Sequence, residues 1–227
     1  MTRYGLIFLG LGLSVAALAL RLDGAALALL AWTALGFAII ALAYFTERPA
    51  LLGKRPDGSI APWTLVCGMP VMLLNHGVHW LIRPRDEPPC DEVAPGIHVG
   101  GLPTLQTLPT DIATIVDLTS EFIAQPQVRC LPGYLSYPML DDGFVGPDEL
   151  EAIVRELDAR PGPVLIHCGS GHGRSSTLAA ALGIVRGHFA SPEDAEIQMR
   201  RVRPRIGYKA VQRERLGQWF ARYHGGG

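Results

Sequence analysis

Cysteine is scarce and scattered in this chain. Cys67, Cys90, Cys130 and Cys168 are the four in 227 residues, and no two form a Cys-x-x-Cys pair. That spacing argues against a disulfide framework and against a zinc site. A surplus of positive charge is also missing, because the formal net charge is −1. Nothing therefore points to nucleic acid as a partner. Charge is almost absent from the first 46 residues, where only Arg3, Arg21 and Asp23 carry any.

This absence of charge points to a lipid bilayer. Residues 4–20 are uncharged, rich in Leu, Ala and Gly, and just long enough to span. Residues 24–45 form a clearer run that meets the requirement of about 20 residues for a transmembrane helix. The tight turn at Arg21-Leu22-Asp23-Gly24 makes the two a helical hairpin over residues 1–47. A signal peptide with Arg3 as its basic region is the competing reading, and the second apolar run directly after it argues against that. A buried water-soluble hairpin is disfavoured because neither segment has a polar face. Arg3 before the hairpin and Arg48, Lys54 and Arg55 after it place both ends in the cytoplasm by the positive-inside rule. Residues 48–90 read as an interfacial or re-entrant segment, centred on 63–82, and then a Pro-rich linker from Arg83 to Pro89. A third span at 63–82 is the alternative, and it would put the remainder of the chain outside. His76 and His79 suggest a metal pair, but no third ligand accompanies them, so packed or interfacial histidines are expected.

The most informative stretch runs from Val164 to Ser176: Val-Leu-Ile-His-Cys-Gly-Ser-Gly-His-Gly-Arg-Ser-Ser. It reads as a buried strand, a glycine-rich loop and a helix start. Gly169, Gly171 and Gly173 let successive backbone N–H groups turn inward around an anion. The next helix adds its positive N-terminal end. Arg174 can grip two phosphate oxygens with a bidentate fork. The same positive field favours the thiolate of Cys168. Ser170 and His172 fill the remaining loop positions. His-Cys-x5-Arg-Ser resembles the signature loop of the cysteine-dependent protein tyrosine phosphatases, including their dual-specificity branch.

The rest of residues 91–227 is compatible with such a domain. Residues 96–101 read as a first strand and turn, and resemble the entry strand of dual-specificity phosphatases. Residues 112–118 and 134–140 are further strands. Helices are expected over 147–160, 175–187, 191–201 and 209–223. This alternation implies an α/β fold with a central, mainly parallel sheet packed by helices on both faces, preceded by the transmembrane hairpin. A site at the carboxyl end of the central strand suits the Cys loop.

The resemblance implies further roles. A general acid is needed when the leaving oxygen departs, and the family carries it as an Asp on a loop upstream of the cysteine. Asp141 and Asp142 occupy that place, 26 to 27 residues before Cys168. Asp142 precedes Gly143 and matches the family's Asp-Gly form, so it is preferred. Asp141 fits better when register is counted from Tyr137-Pro138. Ser175 corresponds to the hydroxyl that helps the cysteine sulfur leave, and it could also cap the helix. His167 orients the loop, and His172 faces substrate or solvent. The basic stretch from Arg200 to Lys209 resembles a segment that packs behind the family's active site. It reads either as a dock for anionic headgroups or, slightly better, as a solvated helix end. Gln212 is a loose match to the glutamine that positions water in tyrosine phosphatases.

Together these readings predict a membrane-anchored phosphatase working through a phosphocysteine, with no metal and no cofactor. The expected substrate is protein phosphotyrosine, with phosphoserine or phosphothreonine also open. The alternatives are a lipid phosphatase acting on a phosphoinositide or phosphatidylglycerophosphate-like headgroup, and a tethered phosphate-binding module. Sulfur transfer of the rhodanese kind is disfavoured by Arg174-Ser175 and by the upstream Asp-Gly loop.

Overall fold

β-branched and apolar runs bounded by Gly and Pro build a five-stranded sheet. A computed structural model describes residues 2–82 and 84–225, so Arg83, the expected start of the Pro-rich linker, lies outside the described residues. The chain divides into two units, one of residues 1–83 with 120–123 and one of residues 84–119 with 124–227.

In the second unit the strands are β1 (Cys90–Ala94), β2 (Ile97–Gly100), β3 (Thr114–Thr119), β4 (Tyr134–Met139) and β5 (Val164–His167). Their order is β1-β2-β5-β3-β4, with β5 central and every residue of it buried. β5 pairs in parallel with β2 and β3, and β3 pairs in parallel with β4. Only β1 runs antiparallel, pairing Cys90 with Gly100 and Asp91 with Val99. This strand was not expected. Its alternation is short and it follows prolines, so the domain is expected from Asp91 with its first strand only at 96–101. Four helices, α5 (Pro147–Asp158), α6 (Arg174–Val185), α7 (Pro192–Val202) and α8 (Ala210–Gly225), flank the sheet, and a one-turn α4 covers Pro126–Arg129. α6 has no polar face because it needs none: Ser175 through Leu182 are all inaccessible to solvent. Gly183 lies against the Phe189 ring, where a Cβ would come within 2.5 Å. The mixed, mainly parallel sheet flanked by helices is the architecture the sequence predicts.

The first unit holds α1 (Thr2–Ala19), α2 (Gly24–Thr46) and α3 (Pro62–Ile82). All three are long and apolar enough to cross a membrane. α1 and α2 form an antiparallel hairpin, since Tyr4 meets Tyr44 at 5.7 Å and Phe8 meets Phe37 at 6.3 Å between ring centroids. Residues 63–82, expected to be interfacial or re-entrant, lie within one uninterrupted 21-residue helix. Pro70 inside it has no N–H to give to the Val66 carbonyl four residues earlier. The Trp32 indole N–H from α2 donates to that carbonyl instead. Close approach of the two helices depends on Gly36, where a Cβ would come within 2.7 Å of Val71. His76 and His79 both lie against the Phe122 ring, as packed histidines would. Lys54, read as a flanking cation, is buried and donates to the Phe122 carbonyl at 2.6 Å.

The proline–indole pairing makes a prediction. Trp32→Phe strands the Val66 carbonyl and should lower stability in detergent by about 1–2 kcal/mol. Pro70→Ala restores the missing amide, so the double variant should recover most of the loss. Thermal midpoints of the four proteins check this.

Candidate active site

The loop from Cys168 to Gly173 joins the end of the central strand to the start of the helix buried beneath it. Cys168 is 5% exposed. The Gly171 amide donates to its sulfur at 3.3 Å, and the Ser175 hydroxyl lies 3.4 Å away. Burial works against ionisation of this thiol. The charge of Arg174 and the hydrogen bonds from Ser175 and Gly171 outweigh it, so the thiol pKa falls below the ordinary cysteine value.

Glycine is required at position 171 by geometry. Gly171 has a φ of +78°, and a Cβ would lie 2.5 Å from the Gly100 carbonyl carbon. At Gly173 a Cβ would stand 3.0 Å from the Gln212 side-chain oxygen. Ser176 and Thr177 donate their hydroxyls to the Gly173 carbonyl, and Ser176 also donates to that of His172. These bonds tie the end of the loop onto the first turn of α6. Ser175 serves the sulfur and is not the N-cap, because α6 begins at Arg174 and its N-cap position is Gly173.

Arg174 is almost wholly buried. One guanidinium nitrogen donates to the Met139 carbonyl at 2.7 Å and to Leu118 at 3.4 Å, the ends of β4 and β3. The other lies 3.6 Å from Asp141 Oδ1. The structure thereby separates the two aspartates. Asp141 faces the arginine of the loop. Asp142 has a left-handed backbone (φ 67°) and pairs with Lys209 Nζ at 3.1 Å. The Asp-Gly pattern prefers Asp142, whereas the residue paired with Arg174 is Asp141.

His167 is buried with Nε2 4.0 Å from Asp117 Oδ1. Asp117 is itself held by the Thr119 amide and hydroxyl and by Tyr134 Oη at 2.6 Å. Burial first, and then the Asp117 carboxylate, push the Tyr134 phenol well above its ordinary pKa.

His172 does not point freely outward. Its Nε2 is 2.6 Å from Glu87 Oε2. Arg203, read from sequence as part of a solvated or lipid-facing basic stretch, is buried. It donates to the Gly171 carbonyl at 3.1 Å and to the Ser170 carbonyl at 3.0 Å. Sequence reasoning missed both Arg203 and Glu87, since one lay in a charge run and the other in a linker. Gln212, a loose match by sequence, is fully buried, accepts from the Lys209 amide and reaches the Gly143 carbonyl at 3.5 Å. It thus stands between the Cys loop and the aspartate loop.

A buried thiol of lowered pKa, held by an amide, a hydroxyl and the charge of one arginine, with a carboxyl group beside that arginine, can attack a phosphate ester and protonate what leaves. Comparisons with known proteins agree. Residues 102–215 match the family model described as "Swiss Army Knife protein, DSP-PTPase phosphatase domain". Among solved structures, the chain is similar to PTPMT1 in complex with PI(5)P, at 19% identity and a TM-score of 0.53, over 60% of this chain and 97% of that one. It is similar to the active form of Tk-PTP at 26% identity and a TM-score of 0.53, over 60% and 98% of the two chains. Human DUSP28 aligns at 20% identity and a TM-score of 0.53, over 63% and 99%. No curated protein matches the sequence.

The cause assigned to the low thiol pKa can be tested directly. In Arg174→Ala, alkylation of Cys168 by iodoacetamide at pH 6 should slow by about ten-fold or more, because the main attraction for the thiolate is gone. Peptide mass spectrometry resolves Cys168 from the other cysteines.

Proposed function

The chain belongs to the DSP-PTPase phosphatase family, and we propose that it is a membrane-anchored phosphatase that cleaves phosphotyrosine in proteins through a phosphocysteine. The observation that carries this is the set of groups around one sulfur: Gly171 N–H and Ser175 Oγ on Cys168, the charge of Arg174 acting on it, and Asp141 3.6 Å from that arginine.

In the first step the Cys168 thiolate forms an S–P bond as the ester P–O bond breaks. Asp141 gives its proton to the departing oxygen. Arg174 and the inward amides from Gly169 to Arg174 hold the charge of the trigonal-bipyramidal phosphoryl group. In the second step water attacks phosphorus, Asp141 takes its proton, and the S–P bond breaks. The Ser175 hydroxyl steadies the sulfur as it regains negative charge. Nothing in this cycle calls for a metal ion.

Protein phosphotyrosine is favoured over a polyanionic headgroup because the loop offers no cation besides Arg174. Its variable positions are Gly169, Ser170, Gly171, His172 and Gly173, and His172 is engaged by Glu87. A lipid substrate remains the second reading, supported by the three apolar helices. The PTPMT1 complex makes PI(5)P the first lipid to try.

The full-length protein in detergent micelles should hydrolyse an aryl phosphate and a phosphotyrosyl peptide in the presence of EDTA. Cys168→Ser should abolish turnover. Asp141→Asn should lower kcat by about 10²–10⁴-fold, and Asp142→Asn by far less. Faster turnover of PI(5)P vesicles than of the peptide would transfer the assignment to the lipid reading. Binding of phosphate without turnover of any of the three would leave the tethered binding module.

We also propose two membrane spans, with the catalytic domain in the cytoplasm. Cys130 is exposed, so a membrane-impermeant maleimide should leave it unlabelled in intact cells and label it after lysis. Labelling before lysis would instead favour three spans.

A further inference from the structure

The segment that delivers the chain into the phosphatase unit carries Asp86, Glu87 and Asp91, and all three are engaged by basic side chains from the other end of the sequence. Asp86 pairs with both terminal nitrogens of Arg205, at 3.0 and 2.9 Å. Asp91 accepts from Arg203 Nη1 at 2.7 Å, beside the Pro88 carbonyl at 3.0 Å. Glu87 does more, because its two oxygens reach three partners. Oε2 lies 2.6 Å from His172 Nε2 and 3.1 Å from Arg203 Nη2, and Oε1 lies 3.0 Å from Arg205 Nη1.

The effect of Arg203 on the loop comes from the shape of a peptide unit. A trans peptide points its C=O and N–H in opposite directions. Arg203 Nη2 holds the Ser170 carbonyl, and the N–H of that same peptide unit, on Gly171, donates to Cys168 Sγ. Arg203 Nε holds the next carbonyl, that of Gly171. Pulling these two carbonyls outward turns the amides of Gly171 and His172 inward. Arg203 is a buried cation and needs compensating charge to stay there. Glu87 and Asp91 supply it, and Glu87 also fixes the His172 side chain one residue further along the loop.

We propose that Glu87 is a positioning residue of the phosphate loop, acting through Arg203 and His172 to set the inward direction of the amides that hold the thiolate and the phosphoryl oxygens. This inference rests on the phosphatase reading, and it makes the segment after the apolar helices part of the catalytic apparatus. Supporting this, burial pushes the Glu87 carboxyl up, yet His172, Arg205 and Arg203 outweigh it and hold it below the ordinary glutamate value. Glu87 is therefore a carboxylate at the pH where the loop works.

The test uses the full-length protein in detergent micelles, as wild type, Glu87→Gln and Glu87→Ala. Three quantities are measured: alkylation of Cys168 by iodoacetamide against pH, kcat/KM for an aryl phosphate, and the thermal midpoint. Positioning through the amides predicts that both variants alkylate about ten-fold more slowly at pH 6, with the profile displaced to higher pH. It also predicts that kcat/KM falls by about 10- to 100-fold. A role for Glu87 as a mere nearby negative charge predicts the opposite sign, since its removal would favour the thiolate and speed alkylation. That result overturns the proposal, as does an unchanged profile in both variants. Should Glu87→Ala fail to fold, the isosteric Glu87→Gln decides. Because alkylation needs no turnover, a displaced profile in a protein that hydrolyses nothing would uphold the positioning role while removing the phosphatase assignment.

Discussion

Cys168 sits where water hardly reaches, and a sulfur anion in such a place is costly unless its surroundings replace the lost hydration. Here the replacement comes from one fixed cation and a few oriented dipoles: Arg174, the Gly171 amide and the Ser175 hydroxyl. The rest of the domain can be understood as what is needed to keep those groups aimed. The central position of β5 fixes where the loop begins. The burial of α6 on all sides fixes where it ends, so neither anchor can drift. A loop of small residues strung between two immobile ends has little freedom left.

The same dependence extends outward in shells of opposite charge. Arg174 is held by carbonyls at the ends of β3 and β4, so the carboxyl ends of two strands orient the group that compensates the sulfur. Arg203 holds the outer side of the loop and is held in turn by Glu87 and Asp91. His167 lies beside a buried carboxylate whose oxygens are already engaged by Thr119 and Tyr134. Each of these buried charges has a partner, which is the condition for keeping charge inside a protein at all. The apolar helices obey a related rule for neutral groups, with Trp32 satisfying the carbonyl that Pro70 leaves without its helical donor.

How much of this was legible in the sequence depends on distance along the chain. The Cys loop is local: strand, glycines, arginine and helix start occupy thirteen consecutive positions, and their chemistry can be read in order. The parallel sheet was implied by alternating strand and helix patterns, and the hairpin by two uncharged runs. The strand at Cys90–Ala94 was not, because its antiparallel partner, not its own short alternation, makes it a strand. That Asp141 pairs with Arg174 and Asp142 with Lys209 goes with a left-handed backbone at the second, which cannot be seen in an Asp-Asp-Gly string. Arg203 and Glu87 were invisible as a pair for a simpler reason. They are 116 positions apart in the sequence, and a buried arginine is written with the same letter as the exposed ones beside it.

The place where β1 begins is therefore a poor place to cut. A truncated chain opening at Asp91 would keep nearly all of the sheet and every helix of the phosphatase unit, and would keep Arg203, but would leave that guanidinium with Asp91 as its only carboxylate from this segment. A graft of the domain onto a different anchor would suffer in the same way if the junction replaced residues 86–89. The acidic, proline-rich stretch looks like a spacer by composition, and spacers are treated as exchangeable. In this protein the boundary of the catalytic unit lies upstream of its first strand, so a swapped anchor must be joined ahead of Asp86 to preserve the enzyme it carries.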